Sequence, residues 1–212
     1  MTSKHKIPHF DGNWEKFDWY CDRAGPRSDS AVVAILGEAM DEFEEYSSMS
    51  RQERKVLYRV RKHEHQLHYD RIVFTDGSVS ALGNGGFGVF GGYEPEETVC
   101  GPIPFDQTSL NAELYAVYMA LLYDVNVADA MRIESDCYGV VQALKRHSRH
   151  EGFVSQSAQL YHDLCRKILD VMAARPGPIG IGYVPGHSGI VGNVVADRLA
   201  NSAGHRSSLC LP

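Results

Sequence analysis

The spacing of apolar residues divides the chain into elements. "DRIVFTD" is rich in β-branched and aromatic residues and reads as a buried strand ending at Asp76. "GSVSALGNGG" follows as a glycine turn. "FGVFGGY" and "TVCGPIPF" read as the second and third strands, with proline pushing the end of the third out of its ladder. Hairpin-like connections predict antiparallel pairing of these strands. Then the period changes. In "SLNAELYAVYMALLYD", Leu110, Leu114, Val117 and Leu121 recur at helical spacing. "AMRIESD" predicts a fourth strand, and "CYGVVQALKRH" a helix with Val140, Val141 and Leu144 on one side. "SQSAQLYHDLCRKILDVM" is an amphipathic helix through Leu160, Leu164 and Ile168, stopped by "RPGP". "IGIGYV" is the fifth strand and "NVVADRLANSA" the last helix. The order βββαβααβα describes an α/β fold, a mixed five-stranded sheet with helices on both faces.

Residues 1–66 have a different pattern and form a mostly helical N-terminal extension. "AVVAILGEAMDEFEEY" predicts an acidic helix. "RQERKVLYRVRKHEHQ" predicts a basic one, with six Lys/Arg against two Glu. Two readings of the basic helix stand side by side: a solvated face laced with ion pairs, or an arm that contacts phosphates. Residues 67–206 form the main domain and 207–212 a C-terminal tail.

Composition narrows the class. Over 212 residues, 43% hydrophobic and 23% charged content fit a soluble globular protein. No apolar run is long enough to span a bilayer, and the start lacks the apolar core of a secretory signal, so no membrane partner is expected. The five cysteines are odd in number and form no C-x-x-C pair. Free thiols in a reducing, intracellular compartment (cytoplasm or nucleus) are expected. The net charge of −6 does not point to nucleic acid. An acidic chain still reaches phosphate through a local basic patch, or through cations held by its acids.

The positions of four acids change the picture. Asp76 ends the first strand and Asp136 the fourth. Glu113 falls within the apolar stripe of its helix, three residues after Leu110 and four before Val117. Asp197 lies in the first turns of the last helix, beside Ala196 and Ala200. Buried unpaired charges are costly, and converging carboxylates resist ionising together. If the first and fourth strands are neighbours, these acids converge. Hard divalent cations then resolve the repulsion: two Mg²⁺ ions suit in-line displacement at phosphorus. His187, on a glycine-flanked loop, is placed to shuttle a proton or ease product release. Taken singly, each acid has a plainer reading: a turn residue for Asp76, an exposed helix acid for Glu113, a cap for Asp136, a helix N-terminal charge for Asp197. His63, His65 and His68 read as a solvated helix end, His147 and His150 as facing phosphate or solvent, and Cys137 as a packed thiol.

"TDGS", "NAELYAVYMAL", "ESDCYGVVQAL" and "VPGHSGIVGNVVADRLA" resemble, in this order, the motifs of type 1 ribonuclease H. The resemblance runs from about Tyr69 to Gly204. The last motif is most similar to the ribonuclease H domains of non-LTR retrotransposons. The resemblance implies endonucleolytic hydrolysis of the RNA strand of RNA–DNA hybrids by a two-metal-ion mechanism. It implies two Mg²⁺ ions, with Mn²⁺ as a substitute, held by Asp76, Glu113, Asp136 and Asp197, and His187 as a catalytic loop histidine. It places Gly77, Ser78, Asn84 and Asn193 at substrate-binding or supporting positions, and makes a larger retroelement polyprotein a candidate partner. The chain departs from the family at Val194, where relatives often carry Glu, and at Tyr138, where some use an amide. It also lacks a basic, tryptophan-bearing protrusion between the middle helices; Trp14 and Trp19 both lie in the extension. The alternative is a catalytically silent nucleic-acid-binding domain of the same fold within a retroelement protein.

Overall fold

The computed structural model describes residues 29–92, 98–104, 108–124, 128–148 and 159–207. Trp14, Trp19, Cys21, His150 and Cys210 lie outside them. The chain forms α1 (Asp29–Ser47), α2 (Arg51–His68), β1 (Arg71–Val79), β2 (Gly85–Phe90), β3 (Thr98–Pro102) and α3 (Ser109–Leu122). Then come β4 (Met131–Ser135), α4 (Tyr138–Ser148), α5 (Gln159–Ala174), β5 (Ile179–Tyr183) and α6 (Val191–Ser207). After the two extension helices, the order is the expected one.

The five strands lie in the order β3-β2-β1-β4-β5. β1 pairs antiparallel with β2 and parallel with β4, and β4 is parallel to β5. β1 runs past its expected end at Asp76, through Val79, because the antiparallel partner continues: Asp76 pairs with Gly88 and Val79 with Gly85. The parallel ladder to β4 stops earlier, at Phe74–Glu134.

Alternation along the strands separates two faces. Val73, Phe87 and Val89 are buried beneath α3, which lies between the sheet and α5, and Ile133 and Ile181 are buried on the same face of β4 and β5. This position corrects the expected single stripe on α3. Ala112 through Leu121 are buried all round the helix, and Leu110 is only partly covered. A helix enclosed on all sides reads as a continuous apolar run. Thr108 caps it, its hydroxyl accepting the Asn111 N–H at 3.1 Å.

On the opposite face α6 packs across β1, β2 and β3. The contact is backbone to backbone: a Cβ at Gly86 or Gly88 would collide with the main chain of α6 at Ala200 and Ala196. The same face of β4 and β5 is covered differently. Gly180 lies under the Tyr69 phenol and Gly182 under the Arg132 guanidinium, so the alternation in "IGIGY" puts isoleucine towards the core and glycine under large polar groups.

The extension helices are part of this packing. Val32, Leu36, Ala39, Phe43 and Tyr46 of α1, and Tyr58 of α2, belong to the same hydrophobic core as the sheet. α1 packs against β5, α4 and α5, closing what would be an open sheet edge. Phe43 packs edge-on and Tyr46 tilted against Tyr183, at 4.8 and 4.7 Å between ring centroids. A capping box starts α2: Ser50 N–H donates to Glu53 at 2.8 Å, and the Ser50 hydroxyl accepts the Glu53 N–H. No helix among the described residues is long and apolar enough to cross a membrane.

Candidate active site

The sheet register brings the acids of β1 and β4 to one level. Phe74 is opposite Glu134 in the parallel ladder, so two residues further on each chain Asp76 meets Asp136 where β4 gives way to α4. The turn there is tight: the Ser135 hydroxyl accepts the Cys137 N–H at 3.1 Å. Glu113 reaches in from the first turns of α3. It can approach because Gly77 has no side chain, since a Cβ there would collide with the backbone of Ala112 and Glu113. Gly77 N–H donates to Glu113 Oε2 at 3.1 Å.

One carboxylate oxygen from each of Asp76, Glu113 and Asp136 lies within 4.8 Å of the other two. Asp76 and Glu113 are only 7% and 9% exposed, and Asp136 is half-buried. Among the described residues no Lys or Arg forms an ion pair with any of the three. The electrostatic consequence is direct. Burial, followed by the charges of Asp136 and Asp197, raises Asp76 to about 7. Burial, followed by the charges of Asp76 and Asp136, holds Glu113 well above the usual carboxylate range, and the Gly77 N–H offsets only part of this.

Asp197 stands outside this trio. It acts on Asp76 and Glu113 through its charge, while its Oδ1 accepts a hydrogen bond from Asn201 at 3.1 Å. Asn193 is buried on α6 and donates to Asp136 Oδ2 at 3.1 Å. Ser78 donates to Asn201 Oδ1 at 2.5 Å. Asn84 is away from the acids, in the β1–β2 turn, where its N–H donates to the Ser80 hydroxyl at 3.2 Å. His187 is exposed, with a left-handed backbone at φ 51°, between Gly186 and Gly189. Its loop rests on Asp136: a Cβ at Gly186 would lie 2.7 Å from Asp136 Oδ2. Ser188 pins the loop by donating to the Pro185 carbonyl at 2.5 Å.

Two residues escaped the reading of the sequence. Asn201 links Ser78 to Asp197, and its i+4 spacing from Asp197 was the available signal. Lys55 Nζ comes beside the histidine loop, 3.8 Å from where a Cβ on Gly189 would be, and nothing in the sequence joins those two segments. His147 corrects an expectation. Rather than facing phosphate or solvent, it packs between helices, on Tyr161 and His162 at 5.1 and 4.7 Å between ring centroids. Burial, then the charge of Glu113, pushes the Cys137 thiol up to about 11, which suits a packed thiol.

A mixed sheet in this strand order, with acids gathered where β1 and β4 diverge and helices on both faces, defines a ribonuclease H-like α/β protein. The RNase H family model matches residues 68–205, and the chain belongs to the RNase H family, whose members are hydrolases. No curated protein matches. Solved structures extend the likeness. A foamy viral protease–reverse transcriptase in complex with dsDNA is 24% identical with a TM-score of 0.53, over 66% of this chain and 97% of that one. The solution structure of the PFV RNase H domain is 22% identical with a TM-score of 0.52, over 66% and 96%. A foamy viral protease–reverse transcriptase in complex with an RNA/DNA hybrid is 22% identical with a TM-score of 0.54, over 66% of this chain but only 20% of that one.

Proposed function

We propose that this chain cuts the RNA strand of RNA–DNA hybrids by metal-assisted hydrolysis, with Asp76, Glu113 and Asp136 as the metal ligands and Asp197 completing the acidic site. The observation that carries the reading is the gathering of three carboxylates from three separate elements within 4.8 Å, without a cationic partner among the described residues. Such a donor set, all oxygen and strongly self-repelling, fits hard cations such as Mg²⁺ or Mn²⁺. Two ions bound there would activate a water and stabilise the leaving oxygen of the phosphodiester.

The chain's own residues prepare that chemistry. Gly77 fixes Glu113, and Asn193 fixes Asp136, so neither acid has to be ordered when substrate arrives. The Ser78–Asn201–Asp197 chain ties the end of β1 to α6 beside the acids. His187 is exposed on its loop, and its ring nitrogens can take or give a proton near the scissile phosphate. Ser78 is placed to meet the sugar–phosphate backbone, where the 2′-OH distinguishes RNA from DNA. The free thiols of Cys100, Cys137 and Cys165 support an intracellular setting. The wording of the last motif supports an origin in a larger retroelement polyprotein.

The test incubates the protein with hybrid, duplex DNA and duplex RNA in Mg²⁺ or Mn²⁺. Cleavage restricted to the RNA strand of the hybrid is expected. No cleavage of hybrid in either metal would sink the reading, and cutting of plain duplex DNA would redirect it to another nuclease of this fold.

A further inference from the structure

The basic helix α2 does not present its charges evenly. At 100° per residue, Arg51, Lys55, Arg59 and Lys62 fall within one narrow sector of the helix. They flank the buried face that carries Tyr58 and His65. The two remaining cations lie on the other flank and are occupied: Arg54 donates to the carbonyls of Met49 and Ser47, and Arg61 pairs with Glu45 at 2.7 Å. Among the described residues, none of the four stripe cations has a hydrogen-bonding or ion-pair partner through its side chain. Arg51 and Arg59 are exposed, and Lys55 and Lys62 half-exposed.

The stripe has a definite neighbour. Lys55 Nζ reaches the histidine loop at Gly189, which is itself exposed with φ 75°. The helix is also fixed in place, since Tyr58 is buried in the core and His65 Nδ1 lies 3.3 Å from Glu134 Oε1. Unpaired cations on a rigid element, running away from the mouth of an acidic site, complement a polyanion that enters that site. In a chain of net charge −6 such a stripe counts for more, because nonspecific attraction is lacking.

We propose that Arg51, Lys55, Arg59 and Lys62 of α2 form a phosphate-binding stripe that holds the nucleic-acid backbone as it leaves the histidine loop. The proposal rests on the nucleic-acid substrate of the preceding section. It gives the extension helix the part of a handle, continuous with the active site, and it commits to a nucleic-acid backbone rather than an acidic protein.

The experiment measures binding of a fluorescein-labelled RNA–DNA hybrid to the full chain across a salt series, by anisotropy, with Ca²⁺ in place of Mg²⁺. Wild-type protein is compared with Arg51→Gln/Lys55→Gln/Arg59→Gln/Lys62→Gln, with Lys55→Gln alone, and with the opposite-flank variant Arg54→Gln/Arg61→Gln. Each released contact removes about 0.7–0.9 from the slope of log K against log salt, so the fourfold variant is expected to lose about 3 and the single variant about 1. At low salt the fourfold variant should bind at least about tenfold more weakly. The opposite-flank variant should lower the melting temperature and leave the slope alone. An unchanged slope in both stripe variants would overturn the proposal, as would a slope loss equal to theirs in the opposite-flank variant. Should the fourfold variant fail to fold, the single variant decides. Binding of an acidic peptide to the stripe as tight as that of hybrid would also contradict it. Wild-type cleavage of hybrid, scored separately in Mg²⁺, tests the function itself, so the two failures are distinguishable.

Discussion

β4 contributes to two clusters of buried charge, built on opposite principles. Its middle residues belong to a paired cluster. Arg132 Nε donates to Glu134 Oε1 at 2.8 Å, its Nη2 donates to Glu42 of α1, and His65 Nδ1 of α2 lies 3.3 Å from the same Glu134 oxygen. Just past its end, Asp136 joins Asp76 and Glu113 in a cluster of acids alone. In the first cluster burial raises Glu42, while Arg132 next to it pulls the other way; the charges of Glu134 and Glu42 hold Arg132 above its ordinary range against the pull of burial. In the second cluster burial and like charges act together, and nothing comparable opposes them. The contrast separates structure from function. The paired cluster ties the extension helices to the sheet, with Arg132 placed between Glu42 and Glu134. The acidic one has no countercharge among the described residues, and in the proposed function divalent cations would supply it.

The contrast breaks most sharply by substitution in the acidic cluster. Asp76→Asn or Asp136→Asn should lower hybrid cleavage by about a thousandfold, equivalent to about 4 kcal/mol of transition-state stabilisation. The metal-free melting temperature should hold or rise, because a repulsion is relieved; an equal loss of fold and activity would erase the distinction. The paired cluster should respond in the opposite sense. Arg132→Met leaves Glu42 and Glu134 buried without their countercharge, a destabilisation of about 3–5 kcal/mol in chemical denaturation. Added Mg²⁺ should not restore it.

A pH series on the metal-free protein sharpens the comparison further. The folded state raises Asp76 from 3.8 to about 7, so it favours the protonated acid. The stabilisation is complete below the unfolded value and is lost as pH rises through about 7, at most roughly 1.4 kcal/mol per pH unit across that window. Mg²⁺ should therefore raise the melting temperature more at pH 8 than at pH 5, and Asp76→Asn should flatten the metal-free profile. Smaller effects are expected at the rim. His187→Ala should slow cleavage by about ten- to a hundredfold and leave an active enzyme. Asn201→Ala removes hydrogen bonds to Ser78 and Asp197 worth about 1 kcal/mol, and should slow cleavage about fivefold in single-turnover measurements.

Element order was legible in the sequence because period-2 and period-3.6 patterns alternate cleanly from Tyr69 onward, whereas the strand order in the sheet comes from the structure. Asp76 and Asp136 were legible as a pair on the condition that the first and fourth strands are neighbours, and the parallel pairing of β1 with β4 meets that condition. Three things were not legible. The end of β1 depended on how far β2 accompanies it, a pairing fact that no local pattern contains. The burial of α3 on all sides hid behind an apolar run compatible with a single stripe. The packing of α1 and α2 on the sheet was hidden because the pairs that join them to β4, Glu42 with Arg132 and His65 with Glu134, are charged or polar residues that a hydrophobic pattern counts as surface. The glycines of "IGIGY" carried a trace of it: a strand that alternates isoleucine with glycine leaves space for something large, here the Arg132 guanidinium and Tyr69.

The most direct measurement is the anomalous diffraction of Mn²⁺ in crystals of the protein. Ions ligated by Asp76, Glu113 and Asp136, with none at the Arg132 cluster, are what unneutralised acids predict. Crystals saturated with Mn²⁺ that show no ion among these carboxylates, or that show the three acids neutralised by a lysine or arginine, would contradict it.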